Sequence, residues 1–547
     1  MLIHIKYEKN KLKYEIDNNF YLEDDNIFIT IDSGLKDFNY LKKIKELYIK
    51  DGINFIYNID VTNSIYIFDK IKNKLILIRD LVGLKSIYYY VNNNSFYVCN
   101  DIMKLMNYNN IEKVINKECL SMFFRFNYIK PPQTIFKNVF KLNHAEYMII
   151  DDNNYLKKVY WDTITSFNNI SKNKINDFNE SKCQLENIIK KYINKEIKEN
   201  SNFGVYLSGG IDSSLVAAIA CKYYPKIETF SIGFFDKENN EANESKKVAK
   251  YLKTNHHELY IREKDILNIV KKIPTYYTEP FADASQFPTI VLNEYAKKNN
   301  IKIAFTGDGA DQLFCGSSLY DTIFKVQKLS KILNPFNIYI NPKYLKYNRK
   351  LMYLFSNKKY KSQSDILYKE IYLRGLFNDC GKKRLEREDE VKSNNWQEKR
   401  MIIDFDTYIC DRINTKMGLA ARKNNIEIRS PFLNKDIIEF SFKIPHKYKY
   451  NKKNKKYILK KVLYEYIPKN YFIDNKKGFF IPIYKWINTY LIEDIKRLTV
   501  KENIEKQGIF NYDAINKLIN NIDNRQKSIL VWNYYMFQLW YETYMIE

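Results

Sequence analysis

Cysteine and histidine are scarce in this 547-residue chain. The seven cysteines are scattered without a CxxC pair, and only two of the five histidines, His256 and His257, are adjacent. A disulfide framework and a structural zinc site are therefore not expected. Neighbouring side chains on an extended segment point to opposite faces, so the histidine pair is also a poor metal site.

Long apolar runs are missing as well. No stretch is long enough to cross a bilayer, and the first residues, MLIHIKYEKNKLKYEI, alternate like a strand and lack the pattern of an export signal. We therefore expect a cytoplasmic protein without a membrane partner. A chain of 547 residues with 45% hydrophobic and 28% charged residues predicts two or three globular domains.

The formal charge of +25 raises the question of a nucleic-acid partner. Lysine, asparagine, isoleucine and tyrosine are enriched throughout, and the lysines mostly alternate with Asp, Glu and Asn. This pattern favours a solvated lysine surface and makes a nucleic-acid partner unlikely. A nucleotide ligand needs only a local basic patch.

Strand and helix patterns divide the chain into two domains. Residues 1–165 predict an α+β domain of layered antiparallel sheets, and residues 166–182 predict a linker and a helix start. Residues 183–547 alternate strands with helices, which predicts a doubly wound parallel sheet with ligands at the carboxyl ends of its strands. After about residue 320 we expect helices only. The predicted N-terminal strands are NIFITID, INFIYNID, SIYIFDK, KLILIRD and SIYYYVNNNSFYVCN.

The most informative local segment is SGGIDSS, residues 208–214. Glycines allow close backbone approach and serines open a helix, so backbone N–H groups could bind an anion. No GK[ST] follows, which argues against a γ-phosphate-transfer loop. Asp212 would repel a bare phosphate but could hold a Mg²⁺ ion that the phosphates share. An ordinary strand-to-helix turn is the alternative interpretation.

Two further segments carry charged residues beside glycine. In TGDGADQ, residues 306–312, the carboxylates Asp308 and Asp311 follow an apolar strand, and Asp311 could share the cation with Asp212. In NKKGFFIP, residues 475–482, Lys476 could neutralise charge on a phosphate. The alternatives are a surface turn and a solvated lysine.

The order of these motifs resembles the asparagine synthetase family. SGGIDSS, ETFSIGFF, TGDGADQLF, EIRSPFLNKDIIEFSFKIP and KKYILKKVL…NKKGFFIP follow one another between about residues 200 and 490. A weaker resemblance extends to RDLVGLKSIYYY and KPPQTIFKNVFKL. It implies a glutaminase domain of the Ntn type over 1–165 and a PP-loop ATP-pyrophosphatase domain over 183–547.

The resemblance also implies roles for matching residues, with ATP and Mg²⁺ as cofactors. Lys476 would stabilise charge at the α-phosphate, and Asp308 would take the proton that the amine must lose. The remaining roles are pyrophosphate binding by Ser208, Gly209, Gly210, Asp212, Ser213 and Ser214, nucleotide binding by Leu207, Ile232, Thr306 and Gly307, and Mg²⁺ binding by Asp212 and Asp311.

Several positions depart from the family pattern. The family's glutaminase uses a cysteine directly after the initiator methionine, where this chain has Leu2, and its earliest cysteine is Cys99. The family's NGEIYN segment is also absent, so we expect glutamine hydrolysis to be lost. Asp474 and Asn434 replace the family's Arg and Asp, which affects the expected geometry of the substrate site.

The sequence thus predicts an AMP-forming amide synthetase that joins a small-molecule or peptide carboxylate to an amine. Relatives without the N-terminal cysteine include β-lactam synthetases and lasso-peptide cyclases, which suggests a biosynthetic role. The alternatives are an asparagine synthetase that uses free ammonia, a PP-loop enzyme acting on tRNA, and a non-catalytic scaffold. A homodimer and biosynthetic partner proteins are compatible with this interpretation.

Overall fold

The chain folds into an N-terminal part with two antiparallel sheets and a C-terminal part with one parallel sheet, as the strand patterns predict. The computed structural model describes residues 3–9, 11–16, 20–92, 95–108, 111–151, 154–234, 242–333, 387–472, 481–522 and 525–546.

The N-terminal part contains eleven strands within these described residues. They are β1 (Ile3–Glu8), β2 (Lys11–Ile16), β3 (Tyr21–Glu23), β4 (Ile27–Ile31), β5 (Ile65–Asp69), β6 (Lys74–Ile78), β7 (Tyr88–Asn92), β8 (Ser95–Cys99), β9 (Val139–Lys141), β10 (Glu146–Asp151) and β11 (Asn154–Val159). One sheet has the order β2-β1-β8-β7-β9 and the other β11-β10-β6-β5-β4-β3. Alternate side chains of both sheets, such as Ile5, Phe28 and Leu77, form a shared buried core.

Helices cover the outer faces of these sheets. They are α1 (Phe38–Asp51), α2 (Ile102–Tyr108) and α3 (Lys117–Phe126). The predicted strand INFIYNID is wrong, because Gly52–Tyr57 forms a 3-10 helix that continues α1. Its Phe55 and Ile56 are buried beside α1 rather than in a strand, so the tertiary contact overrides the β-like composition.

The predicted linker is largely helical. Helix α4 (Thr163–Ile170) begins at the cap Asp162, whose side chain accepts a hydrogen bond from Thr165 N. Helix α5 (Phe178–Glu199) begins five residues earlier than the predicted start at Cys183, because Asp177 caps its first turn. The polar composition of this stretch therefore reflects helix caps and exposed helix faces.

A five-stranded parallel sheet organises the C-terminal part. Its strands are β12 (Phe203–Tyr206), β13 (Glu228–Phe234), β14 (Asn255–Ile261), β15 (Ile303–Phe305) and β16 (Glu427–Arg429), in the order β14-β13-β12-β15-β16. The expectation of no strand after residue 320 is wrong, since β16 completes this sheet. A small hairpin, β17 (Tyr450–Asn451) with β18 (Asn454–Lys455), also lies in that region.

Helices pack on this sheet and extend to the C-terminus. None of the helices in the described residues is long and apolar enough to cross a membrane. In chain order they are α6 (Ile211–Tyr223), α7 (Ala242–Leu252), α8 (Ile266–Tyr276), α9 (Gln286–Lys298), α10 (Ala310–Leu313), α11 (Ser318–Leu333), α12 (Trp396–Ile403), a π-helix (Asp404–Ile413), α13 (Asn414–Lys423), α14 (Lys435–Lys443), α15 (His446–Lys449), α16 (Tyr457–Leu463), α17 (Ile483–Trp486), a second π-helix (Ile487–Leu491), α18 (Ile492–Arg497), α19 (Lys501–Gln507), α20 (Tyr512–Asn520) and α21 (Arg525–Tyr544).

A buried ion-pair network joins the two parts. Lys85 of the N-terminal part lies 2.8 Å from the Glu427 carboxylate on β16. Arg429 lies 3.1 Å from Glu427 and also 3.1 Å from Glu196 on α5. Buried charges are stable only when paired. Lys85 of the N-terminal part therefore compensates part of the negative charge that is buried in the C-terminal part.

Candidate active site

A cavity of about 360 Å³ opens at the carboxyl ends of β12, β13 and β15. This is where ligands bind in open parallel sheets. Nine of the residues proposed from the sequence line it, namely Leu207, Ser208, Asp212, Ser213, Ile232, Thr306, Gly307, Asp308 and Asp311. The structure therefore brings the two glycine-rich segments to one site.

The first segment forms a tight turn between β12 and α6. The hydroxyl oxygens of Ser208 and Ser213 lie 3.0 Å apart, and Ser208 N donates to Ser213 Oγ over 3.2 Å. Gly209 has a φ of 70°, in the left-handed region that favours glycine. Gly210 caps α6 in an extended conformation with no side-chain cap bond, and Ser214 follows in the first turn of the helix.

Three buried polar atoms at this site have no hydrogen-bond partner among the described residues. They are Asp212 Oδ1, Ser214 Oγ and Thr306 Oγ1. An unpaired buried polar atom is costly, so such atoms are uncommon in folded proteins. Two of these residues, Asp212 and Thr306, line the cavity, which fits a site that binds a polar ligand.

Lys456 links the two carboxylates that the sequence assigns to Mg²⁺. Its ammonium donates to Asp212 and lies 2.6 Å from Asp311 Oδ1. Burial would lower the pKa of Lys456, but the two carboxylates outweigh it and raise that pKa. Burial also raises the pKa of Asp212 to about 6, against the opposing effect of Lys456. Lys456 lies in the KKYILKKVL segment that carries the family resemblance, but its role was not predicted, because the segment alone does not show which of its lysines meets the two carboxylates.

The carboxylates fit a divalent cation. The cavity is lined by Asp212, Asp308 and Asp311, and Lys456 compensates only part of their charge. Asp212 Oδ1 has no hydrogen-bond partner among the described residues, and hard oxygen ligands suit Mg²⁺. No group of three or more potential ligands is arranged for a metal within the described parts of the chain. Asp212 and Asp311 are the residues that would hold a Mg²⁺ ion at this site.

Gly316 leaves the space in which Lys456 and Asp311 meet. A Cβ atom at this position would lie 1.9 Å from Asp311 Oδ1 and 2.0 Å from Lys456 Cε. We expect Gly316→Ala to separate the pair and to raise the KM for ATP at least tenfold in steady-state kinetics, because a clash of this size must displace the side chains.

Gly508→Ala is the matched control for this change. Its φ of 61° makes alanine unfavourable, but the added methyl meets no atom within 4 Å. We therefore expect lower thermal stability with an unchanged KM for ATP. An unchanged KM in Gly316→Ala would contradict the assigned role of the pair.

The cavity has a further wall that sequence reasoning missed. Tyr408, Ile409 and Ile413 of the first π-helix line it, together with Met417 of α13 and Ser285 before α9. Ser285 accepts a hydrogen bond from Lys416 over 2.8 Å and donates to Asp283, which also binds Arg412. A local sequence motif does not reveal this wall, since its helical segment lies more than 90 residues beyond the TGDGADQ segment.

Three other positions singled out in the sequence are not among the residues that line the cavity in the described structure. Lys476 and Asp474 are outside the described residues. Asn434 caps α14 and donates to Asp60 of the N-terminal part over 2.6 Å. Burial raises the pKa of Asp60 to about 6. Asn434 thus contributes to the contact between the two parts rather than to the wall of the cavity.

Comparison with known families agrees with the two-part architecture. Residues 184–542 match the family described as Asparagine synthase, and residues 43–161 match the Glutamine amidotransferase domain. The chain belongs to the asparagine synthase family. It is therefore an ATP-dependent ligase that forms carbon–nitrogen bonds. Carboxylates and amine-like small molecules are the substrates in this family.

Individual relatives carry more than one kind of name. A putative glutamine-hydrolysing asparagine synthetase 2 of Methanocaldococcus jannaschii is 32% identical over 53% of this chain and 56% of that protein. Glutamine-hydrolysing asparagine synthetase 1 of Bacillus subtilis is 24% identical over 85% of this chain and 74% of its own. Amidase chry2 of Gibberella zeae is 21% identical over 88% of this chain and 78% of its own.

Proposed function

We propose that the chain converts a carboxylate into its acyl-adenylate at the described cavity and passes the acyl group to an amine. The observation that carries this proposal is the meeting of Asp212, Asp311 and Lys456 beside a glycine-containing turn at the strand ends. This arrangement suits the binding of a triphosphate and the release of pyrophosphate.

The reaction has two bond-exchange steps. In the first, a carboxylate oxygen bonds to the α-phosphorus of ATP while the bond to the pyrophosphate oxygen breaks. In the second, an amine attacks the acyl carbonyl, the bond to AMP breaks, and the amine loses a proton. Splitting the dehydration in this way makes each step feasible, and the partly enclosed site limits hydrolysis of the adenylate.

The residues at the cavity have distinct proposed roles. The Ser208–Ser213 turn and the N-terminus of α6 hold the pyrophosphate portion, and Lys456 neutralises the charge that develops there. A bound Mg²⁺, held by Asp212 and Asp311, would supply further charge neutralisation. Asp308 lines the same cavity and accepts the amine proton. From the family resemblance we also propose that Lys476 stabilises charge at the α-phosphate.

We further propose that the N-terminal part does not hydrolyse glutamine. A glutaminase of the family type needs a reactive thiolate, and the cysteines of this part are Cys99 and Cys119. Both are buried, and burial raises the pKa of each thiol to about 12. Neither thiol is therefore suited to form a thioester at neutral pH.

Glutamine should consequently fail as a nitrogen donor. We expect no glutamate release from glutamine, and we expect Cys99→Ser and Cys119→Ser to leave pyrophosphate formation within about threefold of wild type where they fold. Glutamate quantification with and without ATP tests this. Release of glutamate that disappears in Cys99→Ser would overturn the proposal.

We propose that the amine belongs to the carboxylate substrate or to a second biosynthetic substrate, such as a peptide or modified amino acid. An asparagine synthetase is the second candidate, because two of the relatives above are named glutamine-hydrolysing asparagine synthetases; without glutamine hydrolysis it would use free ammonia. Mass analysis of products from ATP, aspartate and ammonium separates the two. Rapid asparagine formation would establish the second candidate and exclude the first.

A further inference from the structure

The N-terminal part makes direct contact with the π-helix Asp404–Ile413. One side of this helix carries Tyr408, Ile409 and Ile413 to the cavity. Another side contacts His144, which lies between β9 and β10 of the N-terminal part. The wall of the cavity therefore rests on residues from the other half of the chain.

His144 lies between two carboxylates of the π-helix. Its Nε2 is 3.5 Å from Asp406 Oδ1, and its Nδ1 is 3.6 Å from Asp411 Oδ1, while the imidazole side chain is only 14% exposed. A protonated ring can pair with both acids at once. Burial opposes protonation, but Asp406 and Asp411 outweigh it and raise the pKa of His144 to about 9.

The contact of His144 with both acids requires the segment to be a π-helix, because Asp406 and Asp411 are five residues apart. Residues five apart are separated by about 140° around an α-helix of 3.6 residues per turn. In a π-helix, whose hydrogen bonds join residues five apart, they come to one side. Asp406 and Asp411 can therefore meet the same imidazole because this segment is π-helical. Moving the segment into an α-helical register would also rotate Tyr408 and Ile409 relative to the cavity.

Residues 82–84 of the N-terminal part pack closely against the π-helix and against α13. Asn414 Nδ2 donates to Val82 O over 2.7 Å. A Cβ atom on Gly418 would lie 1.9 Å from Leu84 O, and one on Gly83 would lie 2.5 Å from Cys410 O. These backbone contacts extend from the π-helix into α13.

We propose that His144 is a positioning residue that holds Asp404–Ile413 in its π-helical register and so shapes the substrate wall of the active site. This inference rests on the proposed function of the cavity. The groups that act on the two acids or on the adjoining Cys410 are Lys130, which is 3.8 Å from Asp411, Arg387, which acts on Asp406, and Arg79 and Asp80, which act on Cys410. The lysine and arginines offset part of the acidic charge, whereas His144 contacts both acids directly.

The pH dependence follows from the raised pKa. A group with a raised pKa in the folded state stabilises the fold fully below its unfolded pKa, near 6.5. This contribution is lost as the pH rises through about 9. We therefore expect His144→Gln to lower the urea midpoint of the full-length protein at pH 6.5, with the difference from wild type disappearing above pH 9.

Kinetics tests the positioning role separately. We expect His144→Gln to raise the KM for the carboxylate about tenfold at pH 7 while the Kd for ATP changes less than twofold. His144→Lys should restore most of the affinity for the carboxylate. Because lysine stays protonated to higher pH, the urea midpoint of this variant should fall at a higher pH than that of wild type. His446→Gln is the matched control, because His446 is also buried but has a pKa lowered to about 4, and it should show no alkaline dependence.

The outcomes distinguish the two proposals. A His144→Gln protein with wild-type KM and pH profile would overturn the positioning role even if its urea midpoint falls. Equal effects in His446→Gln would overturn it as well. Failure of wild type to release pyrophosphate with any carboxylate would instead refute the proposed function, and the pH-dependent urea difference would still report on the contact itself.

Discussion

Substituting Asp212 with asparagine is expected to reduce ATP-dependent pyrophosphate release by roughly 10²–10³-fold. Asparagine keeps the size of the side chain but removes the charge that would hold a divalent cation and that now pairs with Lys456. The neighbouring turn should keep its shape, because its Ser208–Ser213 contacts do not involve Asp212. Pyrophosphate release, measured over a range of Mg²⁺ concentrations, gives the rate and the apparent metal affinity.

Asp321→Asn is the matched control for this experiment. Asp321 pairs with Lys455, the residue next to Lys456, over 3.4 Å and accepts from the Tyr450 hydroxyl over 2.8 Å. It is not among the residues that line the cavity in the described structure. Its variant should stay within about threefold of wild type, since ion pairs of this exposure contribute little. Wild-type pyrophosphate release by folded Asp212→Asn would refute the assigned site.

Replacing Lys456 with methionine is expected to lower kcat/KM for ATP by about 10²-fold. Methionine preserves much of the aliphatic length but leaves the Asp212 and Asp311 carboxylates without their shared ammonium. The negative charge on departing pyrophosphate would then lose its nearest fixed cation among the described residues. Lys455→Met, one residue earlier, should change kcat/KM by less than about threefold.

A double variant distinguishes a role of Lys456 in catalysis from a role in the stability of the fold. Removing only one member of a buried charge pair destabilises a fold more than removing both. Lys456→Met combined with Asp212→Asn should therefore recover part of any lost thermal stability while remaining inactive. If activity returns together with stability, Lys456 has a structural role and the assignment to pyrophosphate is wrong.

Much of the site was predictable because its chemistry is local in sequence. The turn after β12 follows from serine and glycine between a strand and a helix, and the TGDGADQ segment follows from the same signals after β15. Parallel strands place both segments at one edge, so their convergence was also predictable. The other residues of the candidate site come from segments that are distant in sequence, so their positions depend on tertiary contacts.

The residues that were missed show which information the sequence lacks. Lys456 is one of 89 lysines and arginines, and although it lies in the KKYILKKVL segment, only its distance to two carboxylates separates it from the other lysines of that segment. Strand β16 was missed because Glu427 and Arg429 are buried as ion pairs rather than as apolar side chains. The sequence does not show that Asp404–Ile413 is π-helical, because this helix type depends on contacts with distant residues. One of these residues, His144, lies more than 250 positions earlier in the chain.

The salt-bridge network from Lys85 through Glu427 and Arg429 has a practical consequence for dissecting this enzyme. Cutting away the first 160 residues would remove Lys85 from Glu427, which is 1% exposed in the intact chain and lies on the sheet that carries the candidate site. Arg429 would remain as the partner of Glu427, at 3.1 Å, but this contact edge of the sheet would lose the cover that the N-terminal part provides. Loss of activity in a truncated ligase half would therefore not by itself show that the removed half performs chemistry.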